Sequence, residues 1–208
     1  MTARKKDNLQ KRQEFIDTAT ELFRRKGVED TSLRDVIKAS NGGKGVSPSV
    51  FYYYFDSKND LINACMDSYM GSYASSLVQA LEDESQDMNG KIDAVLACVG
   101  QAWESITRIF PSTEERKDWE GRFDRYFIDS LFAKIVPAMS SAIASGLNRG
   151  QLPSTVLSRQ LGPESIAELL CTGTSTICRR LRDPKSESID HVKTLVKAYA
   201  GQLLGLPA

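Results

Sequence analysis

The sequence lacks most of the residue patterns that carry catalysis or bind metals. It has one histidine, His191, with no cysteine or histidine at ligand spacing, and its four cysteines lie far apart without a CxxC pair. It contains no glycine-rich phosphate loop, no GxSxG motif and no HExxH motif. These absences argue against a zinc site, a disulfide framework and the enzyme classes that use those motifs. We therefore expect reduced, mostly buried thiols, and no catalytic residue, metal or cofactor.

Signals for a membrane or for export are also absent. The basic residues near the N-terminus are not followed by an apolar segment, and no run approaches 18 consecutive apolar residues. The chain has 208 residues, 41% hydrophobic and 26% charged, which is ordinary for one or two globular domains. We expect a cytoplasmic protein without a membrane partner.

Net charge is zero, but it is distributed unevenly. Residues 1–62 carry 12 Lys or Arg and 9 Asp or Glu, and the remaining residues carry the compensating negative excess. This split permits a polyanionic partner for the N-terminal part without requiring one.

Helical patterns dominate the N-terminal part. Over residues 10–26, apolar side chains recur on one stripe and basic residues fill the last turn before Gly27, which predicts a complete helix with a stop signal. Thr31 and Ser32 are the candidate N-caps of a second, short helix that ends near Ser40. The glycines of the segment NGGKG at 41–45 must then break the helix.

The stretch SPSVFYYYFDSK, residues 47–58, predicts a third helix. Ser47 is an N-cap candidate, Pro48 suits the first helical position, and Asp56-Ser57 would end the helix by capping the next one. Helical spacing gives one apolar face and a second face that displays polar groups and tyrosines. The first face consists of Phe51, Tyr54 and Phe55, and the second of Ser49, Tyr52 and Tyr53. Three short helices in this order describe a helix-turn-helix (HTH) DNA-binding unit.

The segments LFRRKGVEDTSLRDV and GVSPSVFYYYFDSKNDL resemble the N-terminal signature of the TetR/AcrR family of bacterial transcriptional regulators, over residues 11–61. The resemblance implies an all-α fold, with an HTH DNA-binding domain at 1–60 and a helical effector-binding and dimerisation domain at 61–208. It implies a homodimer that binds a palindromic double-stranded DNA operator and responds to a small-molecule effector. Most such relatives are repressors that a ligand releases.

The same resemblance implies roles for individual residues. Ser49, Val50 and Tyr53 would lie nearest the base edges of the major groove, while Thr31, Tyr52, Tyr54 and Lys58 would contact the DNA backbone. Ser47 belongs to the same candidate interface. Tyr54 also lies beside the core phenylalanines by helical geometry, so it could serve both roles. Phe51 and Phe55 are expected to be core only.

The turn between the second and third helices departs from the family pattern. Residues Asn41 to Lys44 are four additional positions. Lys44 could supply an extra phosphate contact, or the segment could be a flexible surface insertion.

The remainder of the chain has helical patterns over residues 57–81, 92–110, 123–139, 162–182 and 187–204, with polar residues separating them. Aromatic residues in this part are candidate linings of an effector pocket or plain core: Trp103, Phe110, Trp119, Phe123, Tyr126 and Phe127. The last two patterns could form half of a four-helix bundle across a two-fold axis, because small residues in the first allow close helix approach. Cys171 and Cys178 could form a redox switch or be buried, inert thiols.

Two other function classes remain open from the sequence. A helical enzyme with an HTH appendage would need a constellation of catalytic groups. A DNA-independent binding module would use the tyrosine face to dock a protein, and the longer turn favours that alternative.

Overall fold

The computed structural model describes the backbone of residues 3–109, 113–182 and 188–206, and within these ranges the side chains of 7–109, 130–181 and 188–206. The described residues form helices in an all-α architecture, as predicted. In chain order they are α1 (Ala3–Lys26), α2 (Leu33–Ala39), α3 (Pro48–Tyr54), α4 (Lys58–Glu82), α5 (Met88–Ile109), α6 (Thr113–Asn148), α7 (Val156–Cys178) and α8 (Ile189–Leu204). A short 3-10 helix, Arg179–Arg182, follows α7.

The chain forms two compact units. One consists of Met1–Ser72 with Ser105–Pro111, and the other of Tyr73–Glu104 with Ser112–Ala208. The long helices α4 and α5 therefore each contribute residues to both units.

The first two helices end and begin where the sequence signals predict. Gly27 follows α1 with φ of 84°, and its N–H donates to the Phe23 carbonyl oxygen at 2.8 Å. Ser32, not Thr31, is the N-cap of α2, and it forms a reciprocal capping box with Asp35. The Ser32 hydroxyl accepts from the Asp35 N–H at 3.2 Å, and the Asp35 carboxylate accepts from the Ser32 N–H at 2.8 Å. A seven-residue helix depends on such caps because its own hydrogen bonds are few.

Three phenylalanines form the centre of the first unit. Phe15 of α1 meets Phe51 of α3 edge to face at 5.5 Å between ring centroids, and meets Phe55 at 6.1 Å. All three side chains are at most 1% exposed. Burying aromatic rings of this size contributes strongly to stability, and edge-to-face geometry adds to it. The prediction that Phe51 and Phe55 are core residues is confirmed.

The ends of α4 are held by side chains. At its start the Ser57 hydroxyl accepts from the Asp60 N–H at 3.1 Å. At its end the ammonium of Lys91, which is only 8% exposed, donates to the carbonyl oxygen of Leu81 and, at 2.7 Å, to that of Asp83. A buried cation is thereby paired with the negative end of the helix.

Helices α5 and α6 are longer than the sequence patterns predict. Helix α5 begins at Met88 rather than near residue 92, because the Asp87 carboxylate accepts from the Gly90 N–H at 2.8 Å and caps it. Helix α6 begins at Thr113 and continues to Asn148. The predicted separation by a polar segment over residues 111–122 was therefore wrong, since backbone from Thr113 onward is helical.

One segment of α6, Ser130–Asn148, is long and apolar enough to span a membrane by length and composition alone, with mean hydropathy 1.3. Its residues Ile135, Ala138 and Ile143 are buried within the second unit. A core helix of a globular protein passes the same test, so a single segment of this kind is weak support for a membrane span.

Helices α7 and α8 pack closely through a glycine. A Cβ atom at Gly173 would lie 2.3 Å from the ring of Tyr199, so only glycine leaves room for that ring. The Tyr199 hydroxyl donates to the Leu169 carbonyl oxygen at 2.6 Å. Helix α7 is broken at Gly162, where φ is 75°, and Pro163 follows. The helical segment Val156–Leu161 before this break was not predicted.

The four cysteines are free thiols. Burial raises the pKa of both Cys65 and Cys171 to about 11, and it also raises the pKa of Cys98 and Cys178. At neutral pH these groups are protonated and poor nucleophiles.

Candidate nucleic-acid interface

Helix α3 displays one polar, aromatic face to solvent. Ser49 is exposed, and the side chains of Tyr52 and Tyr53 are 57% and 69% exposed. Val50 is half-buried. Because the rings of Phe51 and Phe55 anchor the other face, the exposed tyrosines are held on a fixed helix. Such side chains can offer ring surface and hydroxyl groups to a nucleic acid.

Two serine hydroxyls stand at the N-terminus of α3. Ser47 has the backbone conformation of an N-cap, and Pro48 occupies the first turn as predicted. The Ser47 side chain makes no capping hydrogen bond; its hydroxyl instead shares a hydrogen bond of 2.9 Å with that of Ser49. Both side chains are exposed, so this pair can donate to an acceptor outside the protein.

Tyr54 lies beside the core phenylalanines as helical geometry predicts, and its contact with the DNA backbone stays a prediction. Its half-buried ring lies 5.9 Å from that of Phe15, and its hydroxyl donates to the Asn8 side-chain oxygen at 3.4 Å. The Asn8 amide in turn donates to the Tyr53 hydroxyl at 3.4 Å. Asn8 therefore contacts two adjacent tyrosines of α3. Sequence patterns missed it because it lies 45 residues away.

Helix α1 also contributes a cation beside α3. The Arg12 guanidinium lies 5.0 Å from the centroid of the Phe55 ring. This cation–π contact keeps a positive charge near the end of α3. No sequence motif singled out Arg12.

The structure corrects the assignment of Thr31 to a phosphate contact. Its side chain is 0% exposed, and its hydroxyl donates to the Gly27 carbonyl oxygen at 2.7 Å. A fully buried hydroxyl with an internal partner cannot reach a phosphate. Thr31 and Ser32 are both cap-competent residues, and only the fold distinguishes the buried one from the N-cap.

Lys58, at the start of α4, is half-buried. Its ammonium donates to the Val28 carbonyl oxygen at 2.8 Å, which ties α4 to the segment after α1. An ammonium has three N–H donors, so this bond leaves others for a second acceptor. Lys58 thus has a structural role that the sequence did not indicate, and its phosphate contact stays a prediction.

The turn between α2 and α3 is tightly hydrogen-bonded. Asn41, Gly42, Gly43 and Gly45 all have positive φ, and glycine or asparagine adopts that region at least cost. The N–H groups of Gly43, Gly45 and Val46 donate to carbonyl oxygens of Ala39, Ser40 and Ile37, at 2.9 to 3.2 Å. The exposed Lys44 lies within this turn, and its ammonium has no ion-pair partner among the residues that the structure describes.

Glu14 of α1 connects this turn to the rest of the unit. One carboxylate oxygen accepts from the Asn41 N–H, and the other accepts from the Lys11 ammonium at 2.7 Å. The hydrogen bond from Lys11 lowers the pKa of Glu14, and the Asn41 N–H lowers it further. The carboxylate is therefore ionised at neutral pH.

The second unit contains a small apolar cavity. It has a volume of about 40 Å³ and is lined by side chains of α4 to α8, including Leu81, Met139, Leu170 and Val196. Drug-sized ligands usually occupy about 300 Å³ or more. This cavity is therefore too small for such a ligand as it stands.

Among the candidate pocket aromatics, the structure describes only the side chain of Trp103, which is not part of the lining of this cavity. Trp103 is half-buried and packs against a cluster that includes Leu96 and Val192. The side chains of the other candidates lie outside the described residues: Phe110, Trp119, Phe123, Tyr126 and Phe127. Among the described residues, no group of three or more His, Cys, Asp or Glu side chains is arranged to hold a metal ion.

Comparison with known proteins agrees with the geometry of the first unit. Residues 15–65 match the family model described as bacterial regulatory proteins, tetR family. These residues run from Phe15 of the phenylalanine core through α2, the turn and α3 into α4. Over these residues the chain carries the N-terminal segment of the tetR family.

A curated relative of this chain is an uncharacterized HTH-type transcriptional regulator in the lacX 3′ region of Lactococcus lactis subsp. lactis. The two are 38% identical over 87 residues, which is 40% of this chain. The chain spans only 42% of that relative's length.

The likeness to solved structures extends over nearly the whole length of the chain. A regulator from Mesorhizobium loti, assigned to the tetR family, has a TM-score of 0.63 at 18% identity, covering 95% of this chain and 96% of its own. A transcriptional regulator from Cytophaga hutchinsonii has a TM-score of 0.60 at 15% identity, covering 92% and 93%. At these identities the likeness concerns the fold alone.

Proposed function

We propose that this protein is a ligand-responsive transcriptional repressor that binds a palindromic DNA operator as a homodimer in the cytoplasm. In this proposal, residues 1–60 bind DNA, and residues 61–208 bind the effector and form the dimer. No catalytic activity is assigned to it.

The observation that carries the proposal is the exposed face of α3. A short helix fixed by Phe51 and Phe55 presents Ser49, Tyr52 and Tyr53 to solvent. A helix in the major groove uses such side chains to contact base edges and phosphates. Single exposed tyrosines are common on protein surfaces. Two adjacent exposed tyrosines on the third helix of an HTH unit favour a nucleic acid as the partner.

Dimerisation would use the outer faces of α7 and α8. Leu169, Thr172 and Thr176 are exposed on α7, and Thr194 and Ala198 are exposed on α8. The hydroxyls of Thr176 and Thr194 donate to carbonyl oxygens of their own helices at 2.9 Å, so they do not need an outside partner. These faces present methyl groups and a leucine beside the exposed charges of Glu168 and Lys197, so the surface that would be buried against a second copy is mixed in character. A dimer would place two α3 helices in successive major grooves, about 34 to 36 Å apart.

The effector response would pass through helices α4 and α5. Because each contributes residues to both units, a ligand that displaces either helix in the second unit would also act on the first. Couplings of this kind typically change DNA affinity by about 1 to 3 kcal/mol. The cavity of about 40 Å³ is the candidate place for such a site, and it would have to enlarge to admit a drug-sized ligand.

DNA binding is tested with a double substitution on the exposed face. Ser49→Ala with Tyr53→Ala should abolish preference for a selected duplex over a random one, while the melting temperature changes little because both side chains are exposed. The matched control is Leu9→Ala, an exposed change on α1 at 51% exposure. If the double variant kept the preference of the unmodified protein, α3 would not be the base-contacting helix. Binding of a protein partner instead, lost in the same variant, would support the DNA-independent module.

The dimer is tested by adding charge to the proposed surface. Leu169→Glu should shift the protein to monomers in sedimentation velocity, because a carboxylate would be buried without a partner. Leu9→Glu, in the first unit, adds the same charge to another exposed leucine and should leave the dimer intact. A Leu169→Glu dimer of unchanged stability would place the interface elsewhere.

A further inference from the structure

We propose that Glu14 is a positioning residue: it fixes the extended turn of residues 41–45 against α1 so that Lys44 contacts a DNA phosphate. This inference rests on the proposed DNA-binding function. It gives a part in that function to Glu14, which lies on α1 and not on the second or third helix. Glu14 itself would not touch DNA.

The geometry gives Glu14 two separate partners. Its one oxygen holds the backbone N–H of Asn41, 27 residues away, and its other oxygen is paired with Lys11 one turn before it on α1. Asn41 is the first residue of the turn with positive φ. The Glu14 carboxylate therefore fixes the turn at the point where the chain leaves α2.

The rest of the turn is fixed from the other side. The N–H groups of Gly43, Gly45 and Val46 are bonded to the end of α2. With Asn41 held by Glu14 as well, the backbone at Lys44 is constrained from both sides. Lys44 is exposed and unpaired among the described residues, and it lies a few residues before the α3 N-terminus. A lysine held in this way is pre-ordered for a phosphate, which reduces the entropy lost on binding.

A purely electrostatic role for Glu14 predicts the opposite result. Removing a carboxylate near a DNA-binding surface reduces repulsion of phosphates, and it also frees the Lys11 ammonium. On that basis Glu14→Ala would bind DNA more tightly and with a steeper salt dependence. A positioning role predicts weaker binding and a shallower salt dependence, because the Lys44 contact is lost. The sign of the change distinguishes the two.

The experiment is a salt titration of DNA affinity with the full-length protein and a selected duplex. Each phosphate contact contributes a slope of about 0.9 in log affinity against log salt concentration. Glu14→Ala should therefore lower the slope by about 0.9 for each bound subunit, as Lys44→Ala should. The double variant should have the slope of Lys44→Ala alone. Glu14→Gln should keep the original slope, because its side-chain oxygen still accepts from the Asn41 N–H.

Glu21→Ala is the matched control. Glu21 lies on the same helix and pairs with Arg24 at the same three-residue spacing, but this carboxylate accepts from a side chain of its own helix and not from the turn. Glu21→Ala should therefore keep the salt slope of the unmodified protein. General destabilisation by Glu14→Ala would lower the melting temperature without changing the slope.

Four results would overturn the inference. Tighter binding or a steeper slope in Glu14→Ala would show a charge effect only. Additive changes of slope in the double variant would show that Glu14 acts independently of Lys44. An unchanged slope with sequence-specific binding intact would overturn this inference and leave the proposed function standing. A folded unmodified protein that binds no DNA would overturn both.

Discussion

Lys58 is predicted to serve both the fold and the DNA contact, and Lys58→Ala should reveal both effects. The charged hydrogen bond from its ammonium to the Val28 carbonyl oxygen, at 2.8 Å, belongs to a class that contributes about 1.5 to 3 kcal/mol when buried. Lys58 is only half-buried, and the Val28 carbonyl oxygen also accepts from the Thr31 N–H at 3.2 Å. The oxygen is therefore not left unpaired, and we expect a loss below this range, about 1 kcal/mol, as for a typical hydrogen bond.

For a chain of this length, 1 kcal/mol corresponds to a melting temperature lower by about 2 to 4 °C. Calorimetry should detect this in Lys58→Ala. Lys44→Ala, which removes an exposed lysine without such a bond, should melt like the unmodified protein. In the same samples, each variant should weaken binding to all duplexes similarly and lower the salt slope by about 0.9 for each bound subunit.

The melting temperature and the salt slope test the two roles of Lys58 independently. An unchanged melting temperature in Lys58→Ala would refute the structural role assigned to the bond with Val28. A lowered melting temperature with an unchanged salt slope would remove Lys58 from the DNA interface and make it a residue of the fold alone.

Three further changes test other parts of the structure. Ser32→Ala should lower the free energy of unfolding by about 1 kcal/mol in urea, because α2 loses its N-cap; no change would refute the capping box. The Ser32 hydroxyl lowers the pKa of Asp35, so this carboxylate stabilises the fold above a pH of about 4 and the stabilisation is lost as the pH falls; Asp35→Asn should be less stable at pH 7 and lose less stability on acidification. Gly173→Ala should cost about 1 to 3 kcal/mol because its Cβ displaces the Tyr199 ring, and a more stable variant would refute the close packing of α7 and α8.

Local signals in the sequence predicted most of the first unit. Gly27 ends α1, Pro48 begins α3, and Phe51 and Phe55 are buried, each for a reason that acts within a few residues of the position itself. Caps, glycine stops and helical periodicity are short-range effects, so one sequence is enough to locate them. The family resemblance rested on the same local spacings.

Contacts between distant residues could not be predicted in this way. Glu14 meets Asn41 across 27 residues, and Asn8 meets Tyr53 across 45. Nothing in the local pattern indicates either pair. Thr31 was misassigned for the same reason: its burial depends on how α1 and the following segment pack, while its residue type suits a cap equally well.

Polar composition misled the prediction for α6. The segment over residues 111–122 was expected to separate two helices, yet the backbone from Thr113 is helical. Charged residues such as Glu, Arg and Lys are good helix formers, so a polar stretch with one glycine, Gly121, and no second proline is still compatible with helix. The helical part of α7 before Gly162 was missed for a different reason. Its apolar residues Val156, Leu157 and Leu161 are exposed and do not form a buried stripe.

The central claim, that the exposed face of α3 binds DNA in a sequence-specific dimer, is tested most directly by selection from a random pool of duplexes at physiological salt. Sequencing the bound fraction should recover a near-palindrome whose half-site centres are about one helical turn, 34 to 36 Å, or a multiple of it apart. A folded dimer that enriches no sequence would contradict the account, and the family resemblance would then explain the fold and not the partner.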